Sequence, residues 1–115
     1  MPTTNAIAIV AVRDLEKASA WYERLLGRPA DSRPMPEVAE WKFQRGGLHV
    51  YQLPERAGSG FVTLAVRNME NQASKLEKLG IDTRRHSQRV ETLLITDPDG
   101  NRIALAEARN PGMAR

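Results

Sequence analysis

The sequence predicts an α+β fold of two β-α-β-β-β modules, with mixed sheets curled around a concave cavity and a helix on the outer face of each. Three observations predict it. Residues 9–16 read IVAVRDLE and residues 63–70 read TLAVRNME, identical at four of eight positions at a shift of 54. Ala18-Ser19 and Ala73-Ser74 then correspond, as do Gly27 and Gly80, so the order strand, polar cap, helix, glycine occurs twice. The segments that follow each helix are short and strand-like.

The elements follow in order. Residues 6–12 form an apolar, β-branched run bounded by polar residues, which predicts a strand. Asp14 is a good N-cap, and Asn68 takes the same place in the repeat. Leu15, Ala18, Tyr22, Leu25 and Leu26 fall at helical spacing, as do Met69, Ala73, Leu76 and Leu79. Gly27 and Gly80 close the two helices. Residues 28–36 hold three prolines and predict an irregular connection or a poor strand. Strands are expected at 37–44 and 47–53, and in the second module at 81–88, 91–96 and 102–107. The stretch 54–60, PERAGSG, separates module 1 (5–53) from module 2 (61–108), with a tail at 109–115. Asp97-Pro98-Asp99-Gly100-Asn101 predicts a hairpin turn; a calcium loop would need a glutamate where Ala108 stands.

Totals bound the function. The 115 residues fit one domain, 41% hydrophobic and 27% charged. The absence of cysteine excludes disulfides, thiolate catalysis and cysteine-held metals. No apolar run approaches the ~20 residues that span a bilayer, and no secretion signal opens the chain, so a cytoplasmic location is expected. The net charge of +3 slightly favours anionic ligands. The basic stretch 83–89 is expected to be a solvated edge strand. Nucleic acid is not an expected partner, because no recognition helix and no aromatic–basic interleaving is present.

Strand side chains alternate between two faces. One face is aliphatic: Ala8, Val10, Val12, Leu48, Val50, Val62, Leu64, Val66, Ile103 and Leu105. It is expected to pack under the helices. The other carries Ile7, Ile9, Ala11, His49, Tyr51, Phe61, Thr63, Ala65, Arg102, Ala104 and Ala106. That mixture suits a concave surface lining a cavity, with a solvated sheet face as the alternative. Trp41 fits the cavity or the core equally. One of Trp21 and Tyr22 is expected in the core.

At this point the sequence resembles a family. VAVRDLEKASAWYERLLG (10–27) looks like the first strand and helix of the vicinal oxygen chelate superfamily, and ITDPDGNRIALAE (95–107) looks like its closing hairpin. That superfamily holds glyoxalase I, extradiol dioxygenases, and fosfomycin- and bleomycin-resistance proteins. The resemblance implies that metal-dependent members draw ligands from four symmetric strand positions, which here read Ile7, His49, Phe61 and Ala104. Three of these offer no donor atom, and one imidazole does not hold a divalent ion where catalytic sites normally supply about three ligands. Relocated ligands would have to come from His86, Glu91, Glu107, Glu37 or Glu40.

The expectation is therefore a metal-free, cofactor-free protein that binds a planar or apolar small molecule, for antibiotic or metabolite sequestration. Its ligand-binding residues are expected to be Trp41, His49, Tyr51, Phe61 and Thr63. The alternative is a lyase or dioxygenase-like enzyme with relocated metal ligands, or with His49 as general base. His49 also admits a purely hydrogen-bonding role. A homodimer is expected, because each half has little core of its own and the resemblance implies cavities completed by a partner chain.

Overall fold

The structure is a computed structural model that describes residues 1–81, the backbone of 84–87, and 92–107. Module 1 runs β1 (Ile7–Val12), α1 (Leu15–Leu26), β2 (Ser32–Met35), β3 (Val38–Phe43) and β4 (Gly46–Gln52). A 3-10 turn at Pro54–Arg56 leads to module 2: β5 (Phe61–Val66), α2 (Met69–Lys78), β6 (Arg84–Ser87), β7 (Thr92–Thr96) and β8 (Arg102–Glu107). The predicted two-module α+β architecture is present. Residues 28–36 do contain a strand. It spans only four residues and its register with β3 is irregular, as Pro34 forces by removing a ladder donor. The C-terminal tail and residues 88–91 lie outside the described residues.

Each module makes one four-stranded sheet, in the orders β1-β4-β3-β2 and β5-β8-β7-β6. The first strand of each lies parallel to the last, and the other pairs are antiparallel. A parallel pair needs a crossover, and the helix provides part of it. The helix ends are built alike. Asp14 accepts from the Lys17 amide and Asn68 from the Asn71 amide. At each helix start a side chain from the end of the last strand accepts a further amide: Gln52 from Leu15 at 2.9 Å, and Glu107 from Asn68 at 3.1 Å. Gly80, at φ 74°, closes α2 with amide bonds from Gly80 to Glu77 and from Ile81 to Leu76. Leu79, expected on the apolar face, sits beyond the last helical turn and is exposed.

The aliphatic strand face forms one core with the helices. Val10, Val12, Leu48, Val50, Val62, Ile103 and Leu105 are buried against Leu15, Tyr22, Met69 and Leu76. Trp41 belongs to this core as well: it is fully buried, its indole N–H donates to the Arg28 carbonyl, and its ring tilts against Tyr22. Tyr22 is the core member of the aromatic pair in α1; Trp21 is half-buried and meets it edge-on at 4.9 Å.

A polar knot joins the modules. Asp97 and Asn101, in the β7–β8 turn, are buried. The Asp97 carboxylate accepts from the Tyr22 hydroxyl at 2.7 Å and from the Asn101 amide group at 2.9 Å. Asn101 also donates to the Ala11 carbonyl at 2.7 Å and accepts from the amides of Gly58 and Gly60. Arg13 pairs with Asp99 at 3.1 Å. The predicted hairpin turn thus holds β1, α1 and the 54–60 link to module 2. Burial, and after it the charge and hydrogen bond of Asp97, push the Tyr22 hydroxyl far above the ordinary tyrosine range, so it stays a donor.

Candidate functional site

Helices cover one side of both sheets. On the opposite, concave side Ile7, Ile9, Phe61 and Thr63 are exposed. Cross-strand partners share a face, so register decides what lies there. Ile9 is opposite His49, His49 opposite Glu40, and Glu40 opposite Ser32. These four residues form one row across all four strands of module 1.

The row is chemically connected. His49 Nε2 lies 2.6 Å from Glu40 Oε2, and the Ser32 hydroxyl donates to Glu40 Oε1 at 3.1 Å. Both partners of the histidine–carboxylate pair keep about a fifth of their side-chain surface or less. The hydrogen bond from His49 first, and that from Ser32 after it, hold the Glu40 carboxyl below the usual carboxylate range against the cost of desolvation. A carboxylate on one ring nitrogen fixes the imidazole plane and leaves the other nitrogen for a ligand. From the sequence alone Glu40 is only a possible metal donor. Its alternation with Trp41 and its place two strands from β1 were the signals for this pairing, but they needed the β3–β4 register to be read.

Next to this row a cavity of about 400 Å³ is lined by Ile9, Ala11, Tyr51, Leu53, Arg56, Ser59 and Gly60. Tyr51 is two residues from His49 on the same face of β4. Phe61 and Thr63 lie on β5, on the concave side of the other sheet, both exposed. Of the five expected ligand-binding residues, His49, Tyr51, Phe61 and Thr63 therefore share the concave side. Trp41 does not. It pairs with Leu48, so it points with the core face and under α1, and its expected stacking role on the concave face is corrected accordingly. Trp41 borders a separate groove of about 440 Å³ between α1 and the β2–β3 edge. That groove is the larger, but its one cation, Arg33, is already paired with Glu16 at 3.2 Å.

The four positions that the resemblance assigns to metal ligands are Ile7, His49, Phe61 and Ala104. The register places Ile7 opposite Gly47, and Phe61 opposite Arg102. Only His49 has a donor atom, and its partner is Glu40. Glu107 is committed to the α2 cap, and Glu37 precedes β3. The side chains of His86 and Glu91 lie outside the described residues. Among the described residues, no group of three His, Asp or Glu side chains is placed to hold an ion. The donor set does not fit the superfamily's usual metal.

Comparison with known proteins decides the family. The sequence matches the glyoxalase-like domain over residues 7–106. The chain belongs to the glyoxalase-like domain family. A glyoxalase/bleomycin resistance protein from Catenulispora Acidiphila DSM 44928 is 31% identical, over 92% of this chain and 99% of that one, with a TM-score of 0.82. Lactoylglutathione lyase from Agrobacterium tumefaciens shares the fold at 18% identity, 97% and 98% coverage and a TM-score of 0.77. A bleomycin-binding protein solved with bleomycin shares it at 16% identity, 95% and 100% coverage and a TM-score of 0.73. No curated protein matches. This glyoxalase-like chain has no helix among its described residues that is long and apolar enough to cross a membrane.

Proposed function

We propose that this glyoxalase-like protein binds a small, partly apolar molecule on the concave face of module 1, without a metal at the four superfamily positions. The observation that carries this reading is the cavity beside Tyr51 and Ile9, next to a fixed His49–Glu40 pair. Such a site offers apolar burial together with a few oriented polar groups, the usual composition of a ligand pocket. The neighbour that binds bleomycin supports small-molecule binding on this fold. Sequestration of an antibiotic or a metabolite, in the cytoplasm, is the corresponding role. The test is a thermal-shift screen of planar and apolar compounds. Hits should stabilise the wild-type chain and lose that effect in Tyr51→Ala; hits that stabilise Tyr51→Ala equally would contradict the reading.

A second reading has one specific observation behind it. The 2.6 Å contact of His49 with Glu40 is the arrangement of a general base held by a carboxylate. On that reading the protein is a metal-free isomerase or lyase, and the free ring nitrogen of His49 moves the proton. Turnover abolished by His49→Ala and weakened by Glu40→Gln would select it. Binding without turnover would select sequestration.

We also propose a homodimer. Ile7, Ile9 and Phe61 expose 45%, 58% and 63% of their surface on the concave side, and large apolar side chains exposed on one face suit burial against a second copy. Sedimentation should show a dimer that Phe61→Glu weakens at least about tenfold; a monomer at all concentrations would contradict it.

A further inference from the structure

The concave-face cavity contains one cation and no carboxylate. Arg56, in the 3-10 turn after β4, lines it with Tyr51, Leu53, Ile9 and Ala11. Among the described residues Arg13, Arg28 and Arg33 each pair with a carboxylate, and Arg56 pairs with none. The turn that carries it is pinned: the Arg56 amide donates to the Leu53 carbonyl at 3.0 Å, and the Ser59 hydroxyl donates to the Arg56 carbonyl at 3.1 Å. Gly60, which ends the same link, is fixed by Asn101 at 2.8 Å. A guanidinium stays charged at any physiological pH and matches a carboxylate through two parallel N–H bonds. The half-buried Tyr51 hydroxyl is a second donor on the same wall. Of the remaining wall, Ile9, Ala11 and Leu53 offer hydrocarbon, and the Ser59 hydroxyl is turned to the Arg56 carbonyl.

We propose that this cavity takes a small organic acid, its carboxylate held by Arg56 with Tyr51 as second donor and its apolar or aromatic body against Ile9, Ala11 and Leu53. The proposal rests on the reading of this face as the binding surface and adds the charge of the ligand to it. The basic balance of the whole chain acts in the same direction, since it raises the local concentration of anions.

Two probes with one body and different heads separate the two ideas: 2-naphthoate and the neutral 2-naphthalenemethanol. Their affinities are to be measured by calorimetry on the wild-type chain and on Arg56→Met, Arg56→Lys and Ala11→Phe, each checked for native circular dichroism. We expect wild-type protein to bind naphthoate about tenfold more tightly than the alcohol, the scale of one charge-assisted contact. Arg56→Met should bring naphthoate down to the level of the alcohol and leave the alcohol unchanged. Arg56→Lys should fall between, and Ala11→Phe should weaken both probes. Equal affinity for the two probes on wild-type protein, or a naphthoate affinity indifferent to Arg56→Met, would overturn the organic-acid proposal while the binding surface stands. Failure of both probes to bind, or binding untouched by Ala11→Phe, would overturn the surface as well.

Discussion

Across the middle of its concave face, module 1 sets Ile9, His49, Glu40 and Ser32 side by side; at the matching register module 2 sets Thr63, Ala104, Leu94 and Arg84. The histidine–carboxylate pair of one module corresponds to an alanine and a leucine in the other. The turns differ in the opposite sense. Two residues, Gln44 and Arg45, join β3 to β4, and Gly46 opens β4 without a side chain. The matching turn of module 2 carries Asp97 and Asn101, whose buried side chains tie both modules together. One repeat thus holds the oriented polar groups and the other holds the lock. Identical backbone plans tolerate this division because strand pairing and helix capping use backbone groups and a few caps, which both modules keep.

The comparison breaks most sharply at the lock. Asn101→Ala removes four hydrogen bonds and leaves the Ala11 carbonyl and the Gly60 amide without their partner. It should cost about 3–4 kcal/mol in urea unfolding, the upper range for one polar deletion. A loss below ~1 kcal/mol would show that the modules cohere through the apolar core alone. Gly58→Ala should follow at about 2–3 kcal/mol. Gly58 has φ 94°, and a Cβ there would lie 2.6 Å from the Asp99 carbonyl oxygen. Gly27 also has positive φ, 78°, but opens onto free space; Gly27→Ala should cost only about 1 kcal/mol, from conformation alone. Equal costs would mean that the close approach of the link to the turn is unimportant. Tyr22→Phe should cost about 1–2 kcal/mol, less than Asn101→Ala, because Asp97 keeps its bond from Asn101.

The smallest expected effect lies in module 1. Glu40 has a lowered pKa in the folded chain, so its contribution is present above the ordinary carboxylate range and is lost as pH falls through the lowered value. Wild-type and Glu40→Gln melting temperatures should differ near neutral pH and converge in acid, once Glu40 is protonated in the folded chain too, the Gln variant being the less stable at the higher pH. A difference independent of pH would mean that the effect of the substitution does not come from the ionisation of Glu40.

The repeat made the fold legible, since it supplied strand, cap, helix and glycine twice, and alternation sorted core from concave face. Alternation also limits what one strand can tell. Trp41 fits either face of β3 until its partner is known, and Leu48 is that partner. Glu40 and Ser32 were hidden for the same reason: a row across four strands joins residues 23 positions apart (Ile9 to Ser32) only once all registers are fixed. The prolines at 29, 34 and 36 obscured β2. Arg56 looked like part of a linker, and only the fold of that link against β1 and β4 puts it on a cavity wall.

On the function proposed above, ligand binding belongs to module 1 and cohesion to module 2. Amide chemical-shift mapping of the labelled chain during titration with 2-naphthoate tests it most directly. Shifts are expected at Ile9, Ala11, Tyr51, Arg56 and His49, with Thr63, Ala65 and Ala104 unmoved. Shifts centred on Thr63 and Ala104, or spread equally over both sheets, would contradict it.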